Sequence, residues 1–141
     1  MPSTVRYRET GAIARSSRTG AVTVESPTGG RMDIVTPPSA PGFSPVDLIY
    51  ASLSSCLVIS TRMAAARMGL SDRLTAVTVE VTGEKAEDGP SRIARFAAVF
   101  EIDGDLSDSE REALMHAAEG EICTISNTLQ GQPSVAAELK R

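Results

Sequence analysis

Three observations predict an α+β fold. Short strands punctuated by turns fill the first quarter of the chain, a well-marked helix that is apolar or small on every side follows, and a pair of alternating strands then precedes a second marked helix. At 141 residues the chain is long enough to bury a real core, and it reads as a single domain over 1–141 without repeats or low-complexity tracts.

The N-terminal strands are expected at Val5–Arg8, Ile13–Arg15, Ala21–Glu25 and Arg31–Val35, with Ser26-Pro27-Thr28-Gly29-Gly30 turning between the last two. Residues 36–43, TPPSAPGF, are too rich in Pro and Gly for regular structure and form a surface loop. A helix start follows: Ser44 can cap, Pro45 suits the first helical position, and Asp47 completes an S-x-x-D capping pattern. This helix is expected to run to about Met68 and stop at Gly69. Its first half, VDLIYASLSSCLVIS, has no polar face, which argues for a long buried helix at the centre of a core, with Cys56 in its middle. Strands at Leu74–Val81 and Ile93–Ile102 alternate apolar and polar residues, joined as a hairpin by residues 83–91. Ser107-x-x-Glu110 announces a second helix ending at Gly120. Cys123 then stands at the entrance of a short helical turn, and SVAAEL, residues 134–139, is a candidate closing strand.

Composition narrows the function. The net charge is −4, aromatics are 4% and Trp is absent, so no electrostatic footprint for nucleic acid is present. In the apolar middle, the longest run without charge, Leu48–Thr61, spans 14 residues and includes four serines, short of the roughly 18 apolar residues of a membrane span. The N-terminal residues have no apolar signal core, so a cytoplasmic location is expected. Cys56, Cys123 and the single histidine, His116, stand at no metal-ligand spacing, and neither a metal nor another cofactor is expected. His116, among Leu114, Met115, Ala117 and Ala118, reads as an ordinary helix histidine rather than the base of a nucleophile.

Two cysteines in a reducing compartment are either packing residues or redox groups. A reactive thiol needs something to stabilise its thiolate. Cys123, at a helix entrance, has unpaired N–H groups nearby. Cys56, mid-helix in apolar surroundings, has none, and burial alone would raise its pKa. Arg62 and Arg67 follow it on the same helix by six and eleven residues, off the spacing that brings side chains together. A cation would have to come from another segment, and the N-terminal strands hold Arg6, Arg8, Arg15, Arg18 and Arg31.

At these residues the sequence resembles the OsmC/Ohr family. SPVDLIYASLSSCL, with Pro and then an acid nine positions before Cys56, is similar to the family's first-cysteine helix, and CTISNTL is similar to its Cys-Pro-Val-Ser helix entry. The 66 residues between the two cysteines are about the family spacing, and the element order agrees along nearly the whole chain. The resemblance implies an intertwined homodimer whose central helices pack together inside a wrap of sheets. It implies also that Cys56 attacks an organic hydroperoxide to become a sulfenic acid, that Cys123 condenses with it, and that a dithiol such as dihydrolipoamide reduces the disulfide. Arg18-Thr19-Gly20-Ala21-Val22 resembles the Arg-x-Gly-x-Val that carries the family's thiolate-pairing arginine, which makes Arg18 the first choice and Arg15 the reserve.

One departure stands out. The best-studied hydroperoxide reductases have a glutamate ten residues before the first cysteine, where this chain has Val46, and Asp47 comes one step later. One step turns a helix side chain by about 100°, so Asp47 is either the Ser44 cap partner or, after a shift of the helix start, a substitute acid. Weak turnover would follow from the missing glutamate. Leu53, Leu57 and Ile59 around Cys56 suggest a preference for alkyl or lipid peroxides. The rivals are a protein of the same fold that binds or senses small electrophiles without turnover, and a dimer whose cysteines are core residues.

Overall fold

The computed structural model describes residues 8–141. The expected strand Val5–Arg8 and Arg6 therefore lie outside the described residues, apart from Arg8, which is in no strand. Two compact units are present, one ending at Leu48 and one spanning Ile49–Arg141.

In the first unit, β1 (Ile13–Arg15), β2 (Val22–Glu25) and β3 (Arg31–Ile34) form an antiparallel sheet in chain order. The turn after β2 closes through Ser26, whose N–H donates to the Gly30 carbonyl at 2.8 Å and whose hydroxyl accepts from the Gly30 N–H at 2.9 Å. Gly29 adopts φ +96°, a conformation costly for residues with a Cβ. Glu25 faces both Arg15 at 3.6 Å and Arg31 at 3.2 Å, exposed pairs that add little stability. Beyond the sheet, Ser44 and Asp47 cap each other as the sequence predicts: the Ser44 N–H donates to Asp47 Oδ2 at 2.9 Å and the Asp47 N–H to Ser44 Oγ at 3.2 Å.

That cap opens α1 (Pro45–Arg67). Leu53, Leu57, Ser60, Thr61, Ala64 and Ala65 are its buried residues, the spacing of one helical stripe. Ile49, one turn before that stripe begins, and Ile59 and Met63 on other faces are exposed, Ile59 by 55%. The expectation of a helix enclosed on every side is thus corrected for the single chain. One hairpin and two short helices supply enough surface to cover one stripe of a 23-residue helix and no more. By length and composition α1 is long and apolar enough to cross a bilayer, which the 14-residue run without charge understated, and its buried stripe is that of a core helix. The helix ends in a Schellman arrangement: Gly69 has φ +70°, the Leu70 N–H reaches the Ala65 carbonyl at 2.8 Å, and the Gly69 N–H reaches that of Ala66 at 3.3 Å.

A short 3-10 turn, Ser71–Arg73, leads into β4 (Leu74–Lys85), which pairs antiparallel with β5 (Ile93–Gly104), Val79 opposite Phe100 and Val81 opposite Ala98. Both strands are longer than expected: residues 83–85 belong to the ladder and not the loop, and β5 continues through Asp103 and Gly104 to pair with the start of β4. Gly83 is there for packing: a Cβ would fall 2.6 Å from Tyr50 Oη, and Tyr50 in turn meets Phe96 edge to face at 5.8 Å.

Ser107 and Glu110 form the predicted capping box at the start of α2 (Asp108–Ala117), and Arg73 grips the same carboxylate at 3.0 and 2.8 Å. The expected continuation to Gly120 is a π-helical turn, Ala118–Ile122, before α3 (Thr124–Gln130). The candidate strand at 134–139 does not form. Among the described residues it has no ladder partner, and Val135 and Leu139 are exposed by 95% and 80%.

Two apolar clusters organise the second unit. One gathers Ala64, Ala65, Leu70, Ile102, Leu106 and Leu114, and the other gathers Leu53, Leu57 and Cys123, with Cys56, Phe96, Phe100, Ile125 and Leu129 packed against it.

Candidate functional site

The second cluster contains both thiols. Cys56 lies beside Leu57 at the edge of the buried stripe of α1, so its sulfur is half-buried rather than sealed in. Cys123 is 0% exposed. The π turn delivers it: the Cys123 N–H reaches back to the Ala118 carbonyl at 3.0 Å, and the Cys123 carbonyl accepts from the Asn127 N–H at 3.0 Å to begin α3. Its side chain is the N-cap of that helix, Sγ accepting from the Ser126 N–H at 3.3 Å.

The electrostatics differ from what the sequence predicts. Burial raises the Cys56 thiol, but hydrogen bonds from the Cys123 thiol, the Ile125 N–H, the Ser60 hydroxyl and the Thr124 N–H outweigh it and hold Cys56 below the ordinary cysteine value. Cys123 is pushed up by burial first, then by its hydrogen bond to Cys56 and by the Cys56 charge, against the N–H groups of Ser126 and Ile125. The pair titrates together, the first proton leaving from Cys56. The expectation that the helix entrance favours the Cys123 anion, while Cys56 has no local help, is therefore reversed. The amides at the start of α3 are shared: Thr124 and Ile125 favour the thiolate of α1, while Ser126 and Ile125 act on Cys123.

Of the other candidates, Arg15, Arg18 and Asp47 belong to the first unit. Arg15 pairs with Glu25, Arg18 is exposed in the turn between β1 and β2, and the Asp47 carboxylate is committed to the α1 cap. Asp47 thus takes the capping role of its two alternatives. His116 is exposed on α2 at an open cavity of about 960 Å³, whose apolar lining includes Leu53, Leu57, Phe96 and Phe100.

Sequence reasoning missed Ser60, whose Oγ is 4.0 Å from Cys56 Sγ, and the amides of Thr124 and Ile125. The serine was open to discovery from its i+4 spacing to Cys56. The amides were not, because an N–H carries no sequence signal. A half-exposed thiol held toward its anion, beside a buried thiol that keeps its proton, can attack an electrophile and then close a disulfide.

Residues 37–138 match the model of the OsmC-like protein family. No curated protein is similar enough to the chain to count as a match. Among solved structures, an OsmC-like protein from Mycoplasma pneumoniae superposes with a TM-score of 0.75 at 20% identity, covering 89% of each chain. An organic hydroperoxide resistance protein OsmC from Legionella pneumophila gives 0.70 at 24% identity, over 89% of this chain and 92% of that one. The organic hydroperoxide resistance protein OhrB of Bacillus subtilis gives 0.65 at 23% identity, over 86% and 90%. These likenesses carry the fold, and with the family model spanning both thiols, the chain belongs to the OsmC-like family.

Proposed function

We propose that the protein is a thiol-dependent reductase of organic hydroperoxides. The observation that carries this reading is the meeting of Cys56, held toward its thiolate, with the protonated, buried Cys123. The Cys56 thiolate attacks the terminal oxygen of the hydroperoxide. An S–O bond forms, the O–O bond breaks, and the alkoxide leaves with a proton as the alcohol. The Cys123 sulfur then attacks the Cys56 sulfenic acid, water leaves, and a disulfide forms. A dithiol such as dihydrolipoamide returns both thiols by two exchanges and ends as its own cyclic disulfide. Relatives in fold are named for organic hydroperoxide resistance, which supports the substrate class.

Arg18, or Arg15 in reserve, adds a cation to the Cys56 thiolate, and the site operates in a cytoplasmic homodimer. The exposed apolar side chains of α1, Ile49, Ile59 and Met63, favour cover by a second copy. A second reading, sensing or binding of electrophiles without turnover, is favoured by Val46 at the glutamate position and by the commitment of Asp47 to its cap.

One equivalent of cumene hydroperoxide should convert the reduced protein to an intramolecular Cys56–Cys123 disulfide, a loss of about two mass units with both thiols gone. Retention of both free thiols sinks the proposal. Steady consumption of peroxide with dihydrolipoamide separates the enzyme from the sensor, which stops after one equivalent.

A further inference from the structure

The serine and threonine hydroxyls of α1 follow a rule with one exception. Ser52 donates to the Ile49 carbonyl at 2.8 Å, Ser54 to that of Ala51 at 3.2 Å, Ser55 to that of Ala51 at 2.7 Å, and Thr61 to that of Leu57 at 2.8 Å. Each is spent on the turn behind it, the usual use of a hydroxyl inside a helix. Ser60 differs. It is 2% exposed, so bulk water is no alternative partner, and its partner among the described residues is Cys56 Sγ, one turn back at 4.0 Å. A buried hydroxyl is costly unless it is hydrogen-bonded. Alanine recurs in this stripe at positions 64 and 65, so a small apolar residue packs there without such a cost.

We propose that Ser60 is a catalytic hydroxyl, donating to the Cys56 sulfur as it becomes a thiolate and so setting the reactivity of that thiol. A thiolate accepts more strongly than a thiol, so the contact favours the charged form. The donor rides on the same helix as its acceptor and keeps its spacing when other segments move. Cys123 and the α3 amides belong to a separate segment, held against α1 by packing. Ser60 thus preserves the thiolate of the reduced enzyme whatever the state of α3. The inference rests on Cys56 being the attacking thiol.

The test is the pH profile of Cys56 alkylation by iodoacetamide in the fully reduced protein, read peptide by peptide so that Cys123 is scored apart. Ser60→Ala should raise the apparent Cys56 pKa by about half to one unit and lower its alkylation rate at neutral pH about three- to tenfold. Ser60→Thr, which keeps the hydroxyl, should return toward the wild-type profile, and circular dichroism checks that each variant is folded. A loss of packing alone would lower the melting temperature without moving the pKa. An unmoved Cys56 pKa in folded Ser60→Ala overturns the assignment, and if the threonine variant fails to fold, the alanine variant decides alone. Because alkylation needs no peroxide, a raised pKa in a protein that does not reduce hydroperoxides would refute the peroxidase reading and leave the role of Ser60 intact.

Discussion

The two thiols sit in opposite kinds of local structure, and each has the properties its neighbour's surroundings suggest. Cys56, in the middle of a 23-residue helix, has no free amide of its own helix within reach and is nonetheless held low. Cys123 caps a helix, takes the Ser126 N–H, and is nonetheless held high. The start of α3 is shared: its Thr124 and Ile125 N–H groups favour the Cys56 thiolate, while the cap residue itself is buried with Leu53 and Leu57. Local structure thus sets which donors exist, and tertiary packing sets which sulfur receives them. Burial opposes charge on both sulfurs, and at the fully enclosed Cys123 it is not outweighed.

The largest effect should come from exchanging the roles. Cys56→Ser should reduce hydroperoxide consumption to the rate without protein, whereas Cys123→Ser should keep the first oxidation and lose the disulfide. The Cys56 sulfenic acid should then accumulate, trap dimedone and overoxidise with excess peroxide. The pH dependence follows from the directions of the two shifts. Reaction through Cys56 grows as the thiolate forms and levels off below the pH at which an ordinary thiol would, while Cys123 becomes reactive only above it. A first oxidation that survives in Cys56→Ser and vanishes in Cys123→Ser would invert the assignment.

A smaller effect is expected at Arg18. With the α3 amides, Cys123 and Ser60 already favouring the Cys56 thiolate, a cation adds to an existing preference rather than creating it. Arg18→Ala should raise the apparent Cys56 pKa by up to about one unit and slow oxidation about tenfold at neutral pH, and Arg62→Ala should do neither. Identical rates and pKa values in Arg18→Ala and wild type would transfer the role to Arg15 or remove it.

Much of this was legible because it is local. The Ser44–Asp47 and Ser107–Glu110 caps, the Gly69 stop, the alternation in both hairpin strands and the cysteine at the α3 entrance are all short-range patterns, and each appears where the sequence puts it. What could not be read depends on partners far along the chain. Gly83 looks like a loop residue until the Tyr50 ring is seen lying where its Cβ would be. An apolar helix shows no side to choose, yet the hairpin and short helices cover only one stripe of α1. The candidate strand at 134–139 has no ladder to join among the described residues. Which thiol the Thr124 and Ile125 amides favour depends on how α3 packs against a helix far earlier in the chain, and no residue type encodes it.

The smallest effect isolates the cap from the chemistry. Cys123→Ser and Cys123→Ala both remove the second thiol and both leave space where the buried sulfur was, so their packing losses are similar. They differ in the Ser126 N–H. The serine hydroxyl can accept it as a strong N-cap and turn its own proton to the Cys56 sulfur, whereas alanine leaves a buried amide without its side-chain partner. The serine variant should therefore be more stable by about 1 kcal/mol in urea or guanidinium unfolding, a melting difference of about 3 °C for a chain of this size. Since neither variant can form the disulfide, the difference reads the cap alone. Equal stabilities, or alanine the more stable, would mean that the Cys123 sulfur fills space at the head of α3 without capping it.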